Sequence, residues 1–412
     1  MLLQRDVSDR LDVANREQVR SLITSVTDNY IVSHLLDVSA ADRDRIVASL
    51  VGDVLGFGPL EPLFSDPEIT EIMVNDANTI FVERRGRITR SPIAFESDEQ
   101  LMSIIQRAIG NLGRRVDESS PMVDARLADG SRVNVVLRPV VPRGAAISIR
   151  RFSQKRLTID DMLAAGTASP AMVAYLRAAV RSRASIIVSG GTSSGKTTLL
   201  NVLSRFIPEG ERIVTIEDAR ELQLEHENLV TMQSRPPNVE GLGAITIRDL
   251  VRNALRMRPD RIVVGECRGG EALDMLQAMN TGHEGSLSTI HANSPEDALS
   301  RLETMVIMAG MDLPPKAIVR QIAAAVDIVV QAERVRGGAR RIVRIAETMG
   351  LHEGEIQMCD LFAFNQTGVS ADGDAIGFHT ATGQRSRFLE RFRVSGEELP
   401  ESIFEPAAIP GS

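Results

Sequence analysis

The chain has 412 residues, of which 43% are hydrophobic and 25% are charged, and its formal net charge at pH 7 is −8. This length allows two or three domains with cores of their own, and no run of about 18 apolar residues is present to span a bilayer. The two cysteines exclude a disulfide framework, and the acidic balance, the absence of tryptophan and the 3% aromatic content argue against a broad nucleic-acid surface.

The beginning of the chain has a helical pattern. It lacks the apolar core of a signal peptide, so we expect a cytoplasmic protein. Apolar residues recur at helical spacing over 11–53, and Ser39 with Asp42 is typical of a capping box that opens a second helix through Val54. These features predict an N-terminal helical module over residues 1–54.

A smaller α/β domain is predicted over residues 55–152. Glycines and prolines at 56–62 break the helical pattern, and strand-like runs with turn signals follow. Residues 153–168 are typical of a linker. The predicted elements are strands Ile69–Val74 and Thr79–Glu83 joined by a turn at 84–86, a helix over 97–113, and strands Arg132–Arg138 and Ala145–Arg151.

The larger domain is predicted over residues 169–350. Helical stretches alternate there with short apolar strands, which predicts an α/β fold with a mostly parallel sheet and helices on both faces. Residues 351–412 are assigned to a C-terminal extension and tail, of which 366–412, rich in Gly, Thr, Ser and Pro, are expected to have little core of their own and to form a short hairpin followed by disorder. The predicted strands are Ile186–Ser189, Arg212–Ile216, Arg261–Val264, Ser286–Ile290 and Ile328–Gln331.

A phosphate-binding P-loop opens this domain, because an apolar strand, a glycine-bounded loop and a helical pattern follow one another. Lys196 would reach the β- and γ-phosphates, and the Thr197 hydroxyl would hold Mg²⁺. Apart from Lys196 the chain has only two lysines among many arginines. A lysine at this position therefore indicates that the loop requires a compact ammonium group in place of a planar guanidinium. The predicted nucleotide-binding residues are Gly190, Gly191, Thr192, Ser193, Ser194, Gly195, Lys196, Thr197 and Thr198.

Two acidic sites each follow an apolar strand. Glu266 stands at the Walker B position, and Gly265 occupies the place where many P-loop proteins carry aspartate, so Glu266 would act on water, on the metal, or on both. Glu217, Asp218 and Glu221 repel one another unless a metal or an arginine neutralises them, which favours a catalytic or Mg²⁺-orienting role. An ordinary solvent-facing acid remains the alternative for each site.

Histidines and arginines complete the candidate set. His283 and His291 flank one predicted strand without the further ligands of a zinc site, so His291 is interpreted as a γ-phosphate or interface sensor, or else as an ordinary core histidine. Arginines crowd the end of the smaller domain. Arg132, Arg150 and Arg151 could supply a cation to the nucleotide when the two domains close.

The P-loop, the two acidic sites and the histidine-containing segment, in their order along the chain, resemble the motifs of the type II/IV secretion and pilus assembly ATPases. The resemblance covers roughly residues 55–350. Glycine in place of the Walker B aspartate is what that family has. Segments 58–63 and 71–75 further resemble the Tad/Flp pilus branch, called the CpaF or TadA type. The motifs are the P-loop at 190–197, an aspartate box at 216–221, an atypical Walker B at 264–269, and a histidine box at 281–286 continuing through 291–293.

The resemblance implies a RecA-like motor that binds ATP and Mg²⁺, works as a homo-hexamer, and pushes on an inner-membrane pilus platform protein. It assigns phosphate and metal to Lys196 and Thr197, and the water to Glu266 with Glu217 or Glu221; Glu266 is also a candidate metal ligand. His291 would be the sensor, and Arg132 with Arg150–Arg151 would face the nucleotide.

Three functions remain open from the sequence. The leading one is a Tad/Flp pilus motor that is cytoplasmic and peripheral to the inner membrane, with no stable nucleic-acid partner. A nucleic-acid translocase or conjugation-type ATPase is the first alternative, because RecA-like rings also move DNA. A nucleotide-dependent scaffold with little turnover is the second.

Overall fold

The fold is described from a computed structural model over residues 16–84, 86–127, 129–152, 157–237 and 242–406. The chain forms two compact units, residues 1–154 and residues 155–412. The first fifteen residues of the predicted helical module, Arg85 of the predicted turn and residues 153–156 of the predicted linker lie outside the described residues.

The first unit begins with a pair of helices, α1 (Arg16–Ser33) and α2 (Ala40–Leu55). The Ser39 hydroxyl accepts the Asp42 N–H at 3.1 Å and caps α2 as predicted. Val19, Ile23 and Val47 form a small buried cluster between the two helices. The Arg43 guanidinium adds two hydrogen bonds to the Asp28 carboxylate across the pair, both 2.6 Å long.

A glycine-rich junction ends α2 and leads through a 3₁₀ turn, Gly58–Leu60, into the short helix α3 (Glu61–Ser65). A Cβ on Gly56 would lie 1.7 Å from Glu61 Oε1, which itself accepts the Phe57 N–H at 2.9 Å. Among the described residues no single helix is long and apolar enough to cross a membrane. One pair, Ala40–Val54 with Gly58–Ser65, reaches that length and composition together but is bent by 118°.

A six-stranded sheet in the order β3-β2-β1-β6-β5-β4 forms the body of the first unit, and every pairing in it is antiparallel. Helix α4 (Asp98–Gly110) buries Leu101, Ile104, Ile105 and Ile109 in the same core as the sheet. The strands are β1 (Ile69–Asp76), β2 (Thr79–Arg84), β3 (Arg87–Arg90), β4 (Met122–Arg126), β5 (Arg132–Leu137) and β6 (Ala145–Arg150).

The second unit contains a nine-stranded sheet in the order β15-β14-β13-β12-β7-β11-β10-β8-β9. Its strands are β7 (Ile186–Gly190), β8 (Ile213–Glu217), β9 (Leu229–Gln233), β10 (Arg261–Val264), β11 (Leu287–His291), β12 (Ile328–Arg334), β13 (Arg340–His352), β14 (Glu355–Val369) and β15 (Ala375–Ala381). Its helices are α5 (Ile159–Ala164), α6 (Pro170–Arg181), α7 (Lys196–Ser204), α8 (Ile247–Ala254), α9 (Glu271–Asn280), α10 (Pro295–Met308), α11 (Pro315–Ala325) and α12 (Leu389–Val394), and a 3₁₀ turn covers Glu401–Phe404.

The prediction of a mostly parallel sheet is wrong, because one sheet is antiparallel and the other is mixed. Strands β7 to β12 pair in parallel, whereas β13, β14 and β15 continue the same sheet as an antiparallel meander. The meander begins with a tight turn in which Gly337 and Gly338 take φ of 90° and 89°. Most positions of β13 and β14 are half-buried or exposed, so these strands differ from a fully buried parallel strand.

The predicted tail is part of the core of the second unit. Phe388, Phe392 and Phe404 are buried in the cluster that also holds Tyr175 and Phe362. The fully buried Glu347 carboxylate accepts the Tyr175 hydroxyl at 2.6 Å, the Arg387 N–H at 2.9 Å and the Ser386 hydroxyl. The C-terminal segment therefore satisfies a buried charge in the middle of the unit.

We expect Tyr175→Phe to destabilise the second unit, because the Glu347 carboxylate then loses a donor without gaining water. Such a loss costs about 1–3 kcal/mol. Each kcal/mol lowers the melting temperature of a domain of this size by roughly 2–4 °C. Differential scanning calorimetry of the full chain measures it. Tyr30→Phe, at an exposed tyrosine, is the control. An unchanged melting temperature in Tyr175→Phe would contradict a role for this hydrogen bond.

Candidate active site

The candidate site lies at the carboxyl edge of the parallel strands, where ligands bind in open α/β sheets. Gly190 ends β7, Glu217 ends β8 and His291 ends β11, and Glu266 follows β10 by two residues. These strands are neighbours in the sheet. The fold therefore brings together four motifs that are up to about a hundred residues apart in the sequence.

The P-loop has the backbone of an anion-binding nest. Ser193 and Gly195 take φ of 56° and 93°, and α7 starts at the next residue. A Cβ on Gly190 would lie 2.2 Å from the Ala332 carbonyl oxygen, so only glycine fits there. Within the described ranges, the backbone N–H groups of residues 192–195 have no protein acceptor. They are donors of the kind that bind phosphate.

Lys196 and Thr197 lie where the sequence predicted a phosphate site. The Lys196 ammonium donates to the carbonyl oxygens of Gly190 at 3.0 Å and Gly191 at 2.8 Å, so it lies inside the loop. The Thr197 hydroxyl donates to Glu221 Oε2 at 3.1 Å. An ammonium and a hydroxyl beside a carboxylate match the groups that a P-loop offers to a nucleotide and its metal.

The acidic loop after β8 divides its carboxylates between two tasks. Glu217 is buried, and its Oε1 accepts the N–H groups of Glu221 and Leu222, both at 2.8 Å. These bonds fold the loop back so that the Glu221 side chain reaches Thr197. The sequence left open which of the two acts at the nucleotide; the contacts show that Glu221 reaches Thr197 and that Glu217 supports the loop that carries it.

Gly265 is small because Glu217 occupies the space beside it. A Cβ at position 265 would lie 2.9 Å from Glu217 Cγ. The Gly265 carbonyl accepts the Thr289 hydroxyl at 2.7 Å, which fixes the strand end from the other side. An aspartate at this position would collide with the carboxylate that β8 already supplies. This is the physical reason for the missing Walker B aspartate.

Glu266 is paired with an arginine. Arg268 Nη2 donates to Glu266 Oε2 at 2.6 Å, and Arg268 Nη1 lies 4.0 Å from Asp218 Oδ2. The hydrogen bond to Glu266 raises the pKa of Arg268 above its usual value. Arg268 therefore bridges the loops after β8 and β10, and it neutralises part of the acidic cluster that the sequence showed.

The two histidines of the predicted pair are separated by the fold. His291 is opposite Gly190 in the strand register, so it lies beside the P-loop. His283 precedes β11, at the other edge of the sheet. Sequence reasoning missed Gln331, whose side-chain amide donates to the Ala292 carbonyl at 3.3 Å and holds the segment after His291.

The predicted arginines lie in the first unit. Arg132 and Arg150 are direct partners in the register of β5 and β6, so they share one face of that sheet. Arg151 donates to the carbonyls of Phe64 at 2.7 Å, Ile69 at 3.2 Å and Asp66. Its guanidinium holds the turn that precedes β1.

The side-chain oxygens at the P-loop show which residues could hold the predicted Mg²⁺. In the part of the chain that the structure describes, no group of three or more His, Cys, Asp or Glu side chains is placed to hold a metal. Thr197 and Glu221 are the adjacent pair of oxygen donors at the P-loop. Such a pair suits Mg²⁺, which is bound by one or two protein oxygens together with phosphates and water.

The family, the relatives and the solved structure that this chain is similar to all belong to secretion, conjugal-transfer or pilus systems. The sequence model of a family described as type II/IV secretion system protein matches residues 53–356. A Mycobacterium tuberculosis relative, named provisionally as a conjugal transfer protein, is 38% identical over 79% of this chain and 93% of its own. The type IV secretion system protein PtlH of Bordetella pertussis is 36% identical over 69% of this chain and 91% of its own. The fold is similar to that of the pilus retraction motor PilT solved with bound ADP, with a TM-score of 0.50 and 20% identity over 73% of this chain and 82% of that one.

We expect Gly265→Ala to destabilise the protein by about 1–3 kcal/mol, because the new methyl group overpacks against Glu217. In a Glu217→Ala background the same change should cost less, since the contacting Cγ atom is gone. A double-mutant cycle on unfolding free energies measures the difference. Equal costs in the two backgrounds would show that Glu217 does not restrict position 265.

Proposed function

We propose that this chain, an ATPase of the type II/IV secretion system protein family, powers transport by a type IV secretion or conjugation machinery. The observation that carries the proposal is the P-loop with Glu221 at Thr197, in a chain that aligns with more than nine-tenths of two such relatives. The sequence alternative of a conjugation-type ATPase is thus preferred to the pilus motor.

The proposed chemistry assigns one task to each group at the edge of the second sheet. The loop N–H groups and Lys196 hold the β- and γ-phosphates, and the Thr197 hydroxyl with the Glu221 carboxylate would hold Mg²⁺, which neutralises phosphate charge when bound with ATP. Glu266 orients or deprotonates the attacking water once it is released from Arg268. His291, beside Gly190, responds to the γ-phosphate.

The proposed assembly is a homo-hexamer that acts on a membrane platform. The resemblance of the motifs to secretion and pilus ATPases supports this proposal. Arg132, Arg150 and Arg151 are the proposed cations for the nucleotide, and the Arg151 guanidinium also donates to the backbone carbonyls of Ile69 and Phe64 in its own unit. A cation supplied by a different domain from the one that holds the nucleotide would couple the nucleotide state to the arrangement of the domains.

A Tad/Flp pilus motor is the second candidate. It is favoured by segments 58–63 and 71–75, which resemble that branch. The first of these segments forms the junction after α2, and the second lies in β1. Both segments lie in the first unit and the ATPase motifs lie in the second, so the choice between the two machineries concerns the partner and leaves the ATPase chemistry unchanged.

We expect Lys196→Ala to abolish ATP binding, and Glu266→Gln to keep ATP binding while lowering turnover by about 10²-fold or more. Phosphate release with Mg²⁺-ATP and calorimetric nucleotide binding measure the two effects. Glu227→Gln, at an exposed acid outside the site, is the matched control. Unchanged turnover in Glu266→Gln would remove this residue from the reaction.

The machinery is tested in the host by deleting the gene and restoring it with the wild type, Glu266→Gln or Glu227→Gln. Loss of conjugal or protein transfer with normal pili, restored by Glu227→Gln and not by Glu266→Gln, is the expected result. Loss of pili with normal transfer would replace the proposal with the Tad/Flp motor.

A further inference from the structure

A residue from the C-terminal meander contacts the P-loop. Arg340, the first residue of β13, is partly buried, and its Nε donates to the Ser193 carbonyl oxygen at 3.0 Å. Its Cδ lies 3.0 Å from the point that a Cβ on Gly195 would occupy. Arg340 lies within the predicted ATPase domain over 169–350, but the strands predicted there end at Gln331, so the sequence did not predict this contact.

The contact fixes the orientation of one peptide group in the nest. The Ser193 carbonyl and the Ser194 N–H belong to one planar trans peptide, so they point in opposite directions. A carbonyl held by Arg340 faces away from the loop, and the Ser194 N–H then faces inward. If this peptide flipped, an oxygen would face the phosphates and repel them.

Ser193 needs such support. Its φ of 56° lies in the left-handed region, which costs free energy for a residue with a side chain. Conformations of this kind persist where the surroundings hold them. The Ser194 hydroxyl bonds to the Gly191 carbonyl at 3.0 Å on one side of the loop, and Arg340 holds the other.

We propose that Arg340 is a positioning residue for ATP hydrolysis: it holds the Ser193–Ser194 peptide so that the P-loop presents an N–H to the phosphate chain. The inference concerns the ATPase itself and does not depend on which secretion machinery is served. It makes the C-terminal meander part of the nucleotide site.

The position of Arg340 gives this role a fixed base. β12 lies beside β7, with Ala332 opposite Gly190, and it turns back into β13 at Arg334 opposite Arg340. The next residue, Arg341, donates instead to the Ala165 carbonyl at 2.7 Å, just after α5. Two adjacent arginines on one strand thus hold different segments, and Arg341 is a matched control for Arg340.

The test compares Arg340→Met, Arg340→Lys and Arg341→Met in the full chain. Methionine keeps an apolar stem against Gly195 and removes the donor, whereas lysine retains a donor for the Ser193 carbonyl. The probes are ADP and tripolyphosphate, which has a phosphate chain and no base, with binding measured by calorimetry and folding by melting temperature.

Arg340→Met should weaken the binding of ADP and of tripolyphosphate by the same factor, about tenfold, with a matching rise in KM for ATP. Arg340→Lys should recover most of the loss, and Arg341→Met should bind both probes within about twofold of the wild type. Unchanged affinity in a folded Arg340→Met, loss of ADP binding alone, or equal losses in Arg340→Met and Arg341→Met would each overturn the proposal. If Arg340→Met does not fold, a tenfold loss in Arg340→Lys would overturn it as well.

Discussion

The active-site edge depends on one buried carboxylate. Glu217 sits at the end of a central strand, where a lone buried charge would be unstable, and two backbone N–H groups of the following loop donate to its Oε1. The same bonds fold that loop against the P-loop and carry Glu221 to Thr197. The side chain also fills the space above the neighbouring strand, which leaves room only for Gly265. One interaction thereby sets the shape of the acidic loop, the position of a second carboxylate and the residue type at a third position.

The second constraint comes from the C-terminal part of the chain. The antiparallel meander extends the sheet beyond β12, and the segment after it brings a hydroxyl and an N–H to Glu347 and packs phenylalanines around Tyr175. Arg387 and Arg391 lie 3.4 Å from the Asp327 carboxylate, whose burial raises its pKa. Arg340 then reaches the P-loop from the start of the meander. The core of the second unit and the P-loop are therefore both supported by the C-terminal part of the chain. This shared support physically connects stability with catalysis.

The individual motifs could be predicted from the sequence because each consists of residues that are contiguous in the chain. Strand, glycine loop and helix start follow one another at the P-loop, and Gly195 takes the left-handed φ of 93° just before the helix. The cap at Ser39, five of the six strands of the parallel part and the acids at the ends of two of them also follow from short patterns, whereas β9 was not predicted. Beyond a short hairpin in 366–412, the long antiparallel strands β13 to β15 were not predicted, because half-solvated strands that mix apolar and polar residues lack the apolar run of a buried parallel strand.

The sequence by itself determined the ATPase motifs, their order along parallel strands and their resemblance to secretion ATPases. Tertiary structure alone decided that Glu217 supports the acidic loop while Glu221 reaches Thr197, and that Glu217 occupies the space beside residue 265. It also revealed Arg340 at Ser193, a contact between residues 147 positions apart. The physical reason is that these assignments depend on side chains from different strands competing for the same space and the same donors. Such competition is settled only when the sheet brings the strand ends together.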